Sequence, residues 1–259
     1  MILSDQFRQR SSLLPDELCR FLSSRTTNGR LGIVMTDKTL LLNTDEAELS
    51  NRWLSPEKHA QLNRYSFAKR RSEWFLGRIC AKQAVIDLLS RLNTSIHRLD
   101  ISIGVSASGR PFVILPDHPE LKLVPDISIS HSGDKVIGIA AGDRCGVDIQ
   151  LLTDTLVKVR DQFCSEADKA VLASISADEL VRLGMLWVAK ESIRKCLGGA
   201  KPVRFLKMHL VALNHDDQYR LLDFQVDEQQ GIRDVSVVVH LDEDYSLGVC
   251  TIARERIDA

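Results

Sequence analysis

The sequence predicts an α+β protein built from two similar halves. Three observations carry this reading. Two long helical stretches stand far apart, about Ala68 to Leu92 and Glu179 to Leu197. Each has a small set of short alternating strands in its own half. The polar turn Gly142-Asp143-Arg144 separates them, giving an N-terminal lobe 1–143 and a C-terminal lobe 144–259. The letters themselves show no internal repeat, so the likeness lies in the order of elements.

Composition sets limits on function. The 259 residues include 34 Lys+Arg and 35 Asp+Glu, a net charge of −1. With pI near 6.7, nothing argues for bulk electrostatic binding to nucleic acid or to a membrane surface. No apolar run approaches a membrane span, and the start Met1-Ile2-Leu3-Ser4-Asp5-Gln6 lacks a signal-peptide pattern. A cytoplasmic, monomeric protein is expected. The six cysteines show no C-x-x-C pair and sit in apolar contexts, so buried reduced thiols are expected rather than zinc or disulfides.

In the first half, Pro15 to Ser24 reads as a short helix and Thr26 to Arg30 as a turn. Leu31 to Thr36 reads as a strand, with Thr39 to Leu42 returning beside it through Asp37-Lys38. Ser55 caps a helix with Pro56 in its first turn. The stretch from Ala68 to Leu92 places Trp74, Ile79, Val85, Leu88, Leu89 and Leu92 near helical spacing. Its start is basic: Lys69, Arg70 and Arg71, then Arg78 and Lys82, with Arg71, Arg78 and Lys82 near one face. Cations at a helix start oppose the macrodipole, so either a bound anion or a solvated basic face fits. Strands follow at Ile101 to Val105 and after the turn holding Gly109-Arg110-Pro111. Asp126 to Asp134, Val136 to Ala141 and Gly146 to Ile149 read as a three-stranded meander. This puts Ser130 and His131 at a strand end in the same sheet as Asp148.

In the second half, Leu156 to Phe163 is helical. Ser165-Glu166-Ala167-Asp168 has the form of a capping box before another short helix. Glu179 to Leu197 is a helix closed by Gly198-Gly199. Val203 to Val211, Tyr219 to Val226, Val235 to Leu241 and Ser246 to Ala253 read as antiparallel strands.

The chemistry concentrates in two of these segments. In Trp187-Val188-Ala189-Lys190-Glu191-Ser192-Ile193-Arg194-Lys195, the residues Trp187, Glu191 and Lys195 recur every four positions and share a helical face. Taken alone this is readable as a surface Glu–Lys pair beside a buried tryptophan. In Cys145-Gly146-Val147-Asp148-Ile149-Gln150, Asp148 and Gln150 share one face of a strand, with Val147 and Ile149 on the other. Two oxygens from a strand and a third from a helix fit a hard divalent cation.

These two segments, preceded by Ile129-Ser130-His131-Ser132-Gly133, resemble the three ordered signatures of the 4′-phosphopantetheinyl transferases, in the longer, two-lobed, single-chain type. The Arg71 to Lys82 segment and Gly109-Arg110-Pro111 agree with it, and the resemblance runs from about Leu54 to Ala253. It implies two pseudo-twofold-related lobes, each a small antiparallel sheet packed on a long helix. It also implies an enzyme that moves the phosphopantetheine arm of coenzyme A onto a serine of an apo acyl or peptidyl carrier protein. Adenosine 3′,5′-bisphosphate is released and Mg²⁺ is required. By motif match, Asp148, Gln150 and Glu191 face the metal. Ser130 and His131 touch coenzyme A phosphates, Arg71 (or Arg70 beside it), Arg78 and Arg110 hold its outer phosphates, and Lys195 lies by the pyrophosphate.

Glu191, Lys195 and His131 are the implied catalytic group. Breaking a pyrophosphate in line is mostly positioning and charge neutralisation. A lysine can stabilise the leaving oxygen, and Glu191, directly or through a bound water, can take the serine proton. Gln150 stands where many members have glutamate. A descendant that binds coenzyme A or carrier proteins without catalysis is the alternative. A basic and apolar strip is expected to receive the acidic carrier, with Arg160, Lys169 and Arg182 as candidates.

Overall fold

The computed structural model describes residues 14–26, 30–115, 124–175, 178–199, 201–216, 219–228 and 231–254. The tip of the turn expected at 26–30 lies outside them. The chain divides into two compact units, Met1–Asp143 and Arg144–Ala259.

The first unit contains α1 (Asp16–Ser24), β1 (Leu31–Asp37), α2 (Thr39–Leu42), α3 (Glu46–Trp53), α4 (Pro56–Leu62), α5 (Ala68–Ser90), β2 (Ser102–Val105), β3 (Pro111–Ile114), β4 (Asp126–Ser132) and β5 (Lys135–Ala141). β1, β5 and β4 form an antiparallel sheet in that order, and β2 and β3 form a separate hairpin. α5 packs on the three-stranded sheet; Phe75, Leu76, Ile79, Cys80, Ala84 and Leu88 are almost wholly buried there.

Thr39–Leu42 is a helical turn, not a strand returning on β1. The Asp37 carboxylate accepts both the Thr39 N–H and the Thr39 hydroxyl, which starts a turn and ends the strand. The partner of β1 is β5, paired from Leu31↔Ala141 to Asp37↔Lys135. Sequence reasoning missed α3. Its N-cap, Asp45, accepts the Ala47 N–H at 2.8 Å.

The second unit contains β6 (Arg144–Leu151), α6 (Thr155–Val159) running into a 3₁₀ turn (Arg160–Gln162), α7 (Glu166–Leu172) and α8 (Glu179–Leu197). A 3₁₀ turn (Phe205–Lys207) then leads to β7 (Met208–Asp216), β8 (Tyr219–Glu228), β9 (Gly231–Asp242) and β10 (Tyr245–Ile252). The sheet order is β6-β10-β9-β8-β7, antiparallel throughout, with α8 packed across β6, β10 and β9. β6 therefore does not continue the β4–β5 hairpin as a meander. It pairs with β10, from Arg144↔Ile252 to Leu151↔Tyr245. The first strand after α8 also starts later than its hydrophobic run, because residues 205–207 form the 3₁₀ turn.

Both α7 and α8 start where their caps dictate. Ser165 and Asp168 form a reciprocal capping box, and Asp178 accepts the Val181 N–H at 2.8 Å. Gly198, at φ 65°, ends α8.

Each unit brings its central helix against its strands by the same device. A Cβ on Gly138 of β5 would lie 2.6 Å from the Ala81 nitrogen, and one on Gly248 of β10 would lie 2.6 Å from the Val188 oxygen. A Cβ on Gly32 of β1 would overlap the Ala84 carbonyl, and one on Gly146 of β6 the Ser192 carbonyl. These contacts match Ala81 with Ala189, Ala84 with Ser192, and therefore Lys82 with Lys190. Both lysines are buried, 3% and 0% exposed, and both give their ammonium groups to backbone carbonyls. Lys82 donates to Trp53 and Arg98, and Lys190 to Phe163 and Phe205. Among the described residues, Lys190 alone of the two also meets a carboxylate, Asp168, at 2.8 Å. The two halves thus share one plan, although their letters do not show it.

Candidate active site

In the second unit, the glycine contacts orient the sheet. Gly146 faces α8, so Asp148 and Gln150, two and four residues on, project to the same side. Across the sheet Asp148 pairs with Gly248, whose missing side chain leaves the helix close to the strand. Lys195, from the last turn of α8, donates to Asp148 Oδ1 at 2.7 Å and to the Val147 carbonyl at 3.0 Å. One turn earlier, Glu191 pairs with Arg194 at 3.1 Å.

Burial pushes the Glu191 carboxyl above its usual range, and the Asp148 charge pushes it further; Arg194 and Lys195 oppose both. Asp148 and Glu191 thus share one electrostatic neighbourhood, and the Asp148 charge disfavours ionisation of Glu191. Such a pair is a natural seat for a divalent cation. Gln150 donates Nε2 to the Leu151 carbonyl at 2.8 Å, which leaves its amide oxygen without a partner among the described residues. Two carboxylates and an amide oxygen are hard oxygen donors, so these residues fit Mg²⁺. Among the described residues no group of three or more His, Cys, Asp or Glu forms a metal cluster; the third donor here is an amide.

Trp187, on the same stripe, has no part in the polar site. Its ring is held edge-on to Phe163 at 5.1 Å and tilted against Phe205 at 5.3 Å. Sequence reasoning missed Arg194, which pairs with Glu191 while its guanidinium lies 4.4 Å from the Phe205 ring. Its spacing of three from Glu191 was the available signal.

The candidates of the first unit are dispersed. Ser130 and His131 lie on β4, in the β1-β5-β4 sheet, and not in the sheet that carries Asp148. As neighbours on one strand they point to opposite faces, Ser130 buried and His131 exposed. Arg110 is paired with Asp126. Arg71, Arg78 and Lys82 do not form one solvated basic face. Arg71 is bound to Glu46 at 2.6 Å and to the Leu62 carbonyl at 2.9 Å, tying α5 to α3 and α4. Arg78 is 8% exposed and its guanidinium stacks 3.6 Å from the Trp74 ring. Burial lowers its pKa to about 10. Burial, with Lys58 and Arg78 adding to it, lowers that of Lys82 to about 8.

A family model described as the 4′-phosphopantetheinyl transferase superfamily matches residues 144–250, nearly the whole of the second unit and both of its motif segments. The second unit is a 4′-phosphopantetheinyl transferase superfamily domain. Two curated proteins extend the likeness beyond that unit. The 4′-phosphopantetheinyl transferase ffp of Bacillus subtilis is 26% identical over 155 residues, 60% of this chain and 64% of that protein. The 4′-phosphopantetheinyl transferase gsp of Aneurinibacillus migulanus is 27% identical over 146 residues, 56% of each. The chain thus spans less than two thirds of either relative's length. A solved holo-(acyl-carrier-protein) synthase from Bacillus anthracis, in complex with CoA (3′,5′-ADP), is similar at 19% identity and a TM-score of 0.36. That match covers 43% of this chain and 92% of the other.

Among the described residues, no helix is long and apolar enough to cross a membrane. Arg160 and Lys169, the carrier-docking candidates, are paired with Glu179 at 3.0 Å and Glu166 at 2.7 Å.

Proposed function

We propose that the protein transfers the 4′-phosphopantetheine group of coenzyme A to a serine hydroxyl of an apo acyl or peptidyl carrier protein, releasing adenosine 3′,5′-bisphosphate. It acts as a Mg²⁺-dependent, cytoplasmic monomer. One observation carries the reading: Asp148, Glu191 and Lys195 converge in the unit that the transferase family model matches. The names of the two relatives support it.

On this reading Asp148, Gln150 and Glu191 hold Mg²⁺, which when bound neutralises charge on the diphosphate. Lys195 is placed to share its ammonium between Asp148 and the leaving phosphate oxygen. Glu191 takes the proton of the carrier serine. A carboxyl raised by burial is a stronger base than an ordinary one, which suits that role. Arg194 keeps Glu191 oriented until substrate arrives. Ser130, His131, Arg78 and Arg110 are assigned to coenzyme A phosphates. Arg71, already engaged by Glu46, is the weakest of these assignments.

The test is to incubate the protein with coenzyme A, Mg²⁺ and a panel of apo carrier proteins, and to weigh each carrier. A mass gain of one phosphopantetheine is the expected result. Coenzyme A binding without mass gain would make the protein a non-catalytic descendant, and the absence of both binding and mass gain would end the family-based reading of its activity.

Gln150 supplies an oxygen without a charge, so the site is expected to bind Mg²⁺ more weakly than a three-carboxylate site. Gln150→Glu should lower the Mg²⁺ concentration for half-maximal activity by about tenfold, since carboxylate count tunes such sites. An unchanged Mg²⁺ titration would refute a metal role for residue 150.

A further inference from the structure

Among the described residues Glu191 has a single hydrogen-bond partner, Arg194, whose Nη1 donates to Oε1 at 3.1 Å. The two stand three residues apart on α8, with side chains 20% and 28% exposed. The guanidinium is not adrift in solvent. It lies 4.4 Å from the centre of the Phe205 ring, and its Nε is buried without a hydrogen-bond partner among the described residues. Phe205 is itself seated. Its carbonyl accepts from the buried Lys190 at 3.2 Å, and its ring leans on Trp187.

The four charges here cancel in pairs: Lys195 meets Asp148, and Arg194 meets Glu191. A divalent cation held by the two carboxylates adds two positive charges to a set that is already neutral. One of the two bases is then repelled. They are not equally tied. Lys195 donates to the Asp148 carboxylate at 2.7 Å and to the Val147 carbonyl at 3.0 Å. Arg194 has only the Glu191 oxygen as its acceptor among the described residues. Leaving it costs one charge-assisted bond, and the face of Phe205 still holds the guanidinium. Arg194 is therefore the base free to step back.

We propose that Arg194 is a resident counter-ion of Glu191, seated on Phe205, which yields the carboxylate to a divalent cation and so sets how much of that cation the site requires. It goes beyond orienting Glu191: a residue that only oriented the carboxylate would help the cation to bind, whereas a tethered competitor hinders it. The inference rests on the assignment of Glu191 to Mg²⁺.

The experiment uses the full chain and Mg²⁺ alone, with no coenzyme A, carrier protein or assay of transfer. Titration calorimetry is run well above the raised carboxyl range, so that Glu191 is ionised. Arg194→Met keeps the length and the apolar contact with Phe205 but removes the charge. It should lower the dissociation constant of Mg²⁺ about tenfold, the scale of one screened like-charge contact. Arg194→Gln, which keeps a donor for Glu191, should tighten binding likewise and guards against loss of fold in the first variant. In wild-type protein ¹⁵N-labelled at arginine, the Arg194 Nε–H signal, assigned by its absence from Arg194→Met, should shift with the same midpoint as the heat.

If both variants bind Mg²⁺ no more tightly than wild type, Arg194 only orients Glu191 and the proposal is overturned, while the metal assignment stands. An Arg194 signal that stays still as Mg²⁺ binds overturns it as well. If none of the three proteins binds Mg²⁺, the assignment of Glu191 to the metal falls and takes the proposal with it.

Discussion

Glu191→Gln is expected to lower the transfer rate by about 10² to 10⁴-fold, the range for removing a positioned acid–base group, while the folded protein becomes more stable in the presence of a chelator. Both effects come from one feature. Burial and the neighbouring Asp148 hold the Glu191 carboxyl above its ordinary range, so its ionised form is strained in the absence of a cation. The amide keeps the contact with Arg194 and removes the repelled charge.

The pH dependence has a defined sign. Between the ordinary carboxylate range and the raised value, the folded chain keeps a proton that the unfolded chain has lost. Wild-type stability therefore falls as pH rises through that window, and the variant lacks that component. Chelator-treated melting curves across that window check the claim, beside a carrier-modification assay. A variant that is no more stable than wild type would remove the argument that this pair is poised for a cation. A variant that still transfers at wild-type rate would remove Glu191 from the chemistry.

Asp168→Ala is expected to cost about 3–5 kcal/mol of unfolding free energy, the range for breaking a buried ion pair by removing one partner. Asp168 serves three groups at once. One oxygen accepts from Lys190 at 2.8 Å and from the Ser165 N–H at 2.9 Å, and the other accepts the Leu210 N–H at 2.9 Å. Burial alone would raise its pKa, but Lys190 and these N–H groups overcome that and leave it lowered. Its contribution is therefore present above the ordinary carboxylate range and is lost as pH falls through the lowered value.

The alanine variant leaves the Lys190 ammonium, 0% exposed, with only carbonyl oxygens around it. The double variant Asp168→Ala/Lys190→Met should recover much of the loss, because no uncompensated charge is then buried. Urea unfolding of both variants checks this. A cost below about 1 kcal/mol, the worth of an exposed pair, would show that the pair is not the clamp described here.

Legibility in the sequence varied with the range of the forces involved. α8 was readable from Glu179 to Leu197 because both its ends are local. Asp178 caps one, and Gly198 adopts a left-handed conformation at the other. The Ser165–Asp168 capping box was readable for the same reason. The sharing of one face by Asp148 and Gln150 follows from strand geometry alone.

What was not readable depends on distant partners. Nothing near β6 announces that it pairs with β10, a hundred residues away in the chain, in place of β5. Lys190 stands beside Glu191 and looks solvated; it is buried because the Phe163 and Phe205 carbonyls close over it. Lys82 misled in the same way, since its acceptors at Trp53 and Arg98 come from outside its helix. α3 carries Glu46, Glu48 and Arg52 among few apolar residues, and its burial of Leu49 and Trp53 emerges only once α5 is in place.

The two glycines that seat α8, Gly146 and Gly248, limit how this protein can vary. With no side chain between strand and helix backbone, the helix cannot be lifted, tilted or slid along the sheet without opening a gap beneath it. The spacing between a strand-borne aspartate and a helix-borne lysine is thereby set by main-chain thickness, not by side chains that drift over time. A lineage of such proteins could change its loops and its surface charge freely, yet the seam under the polar cluster would stay bare.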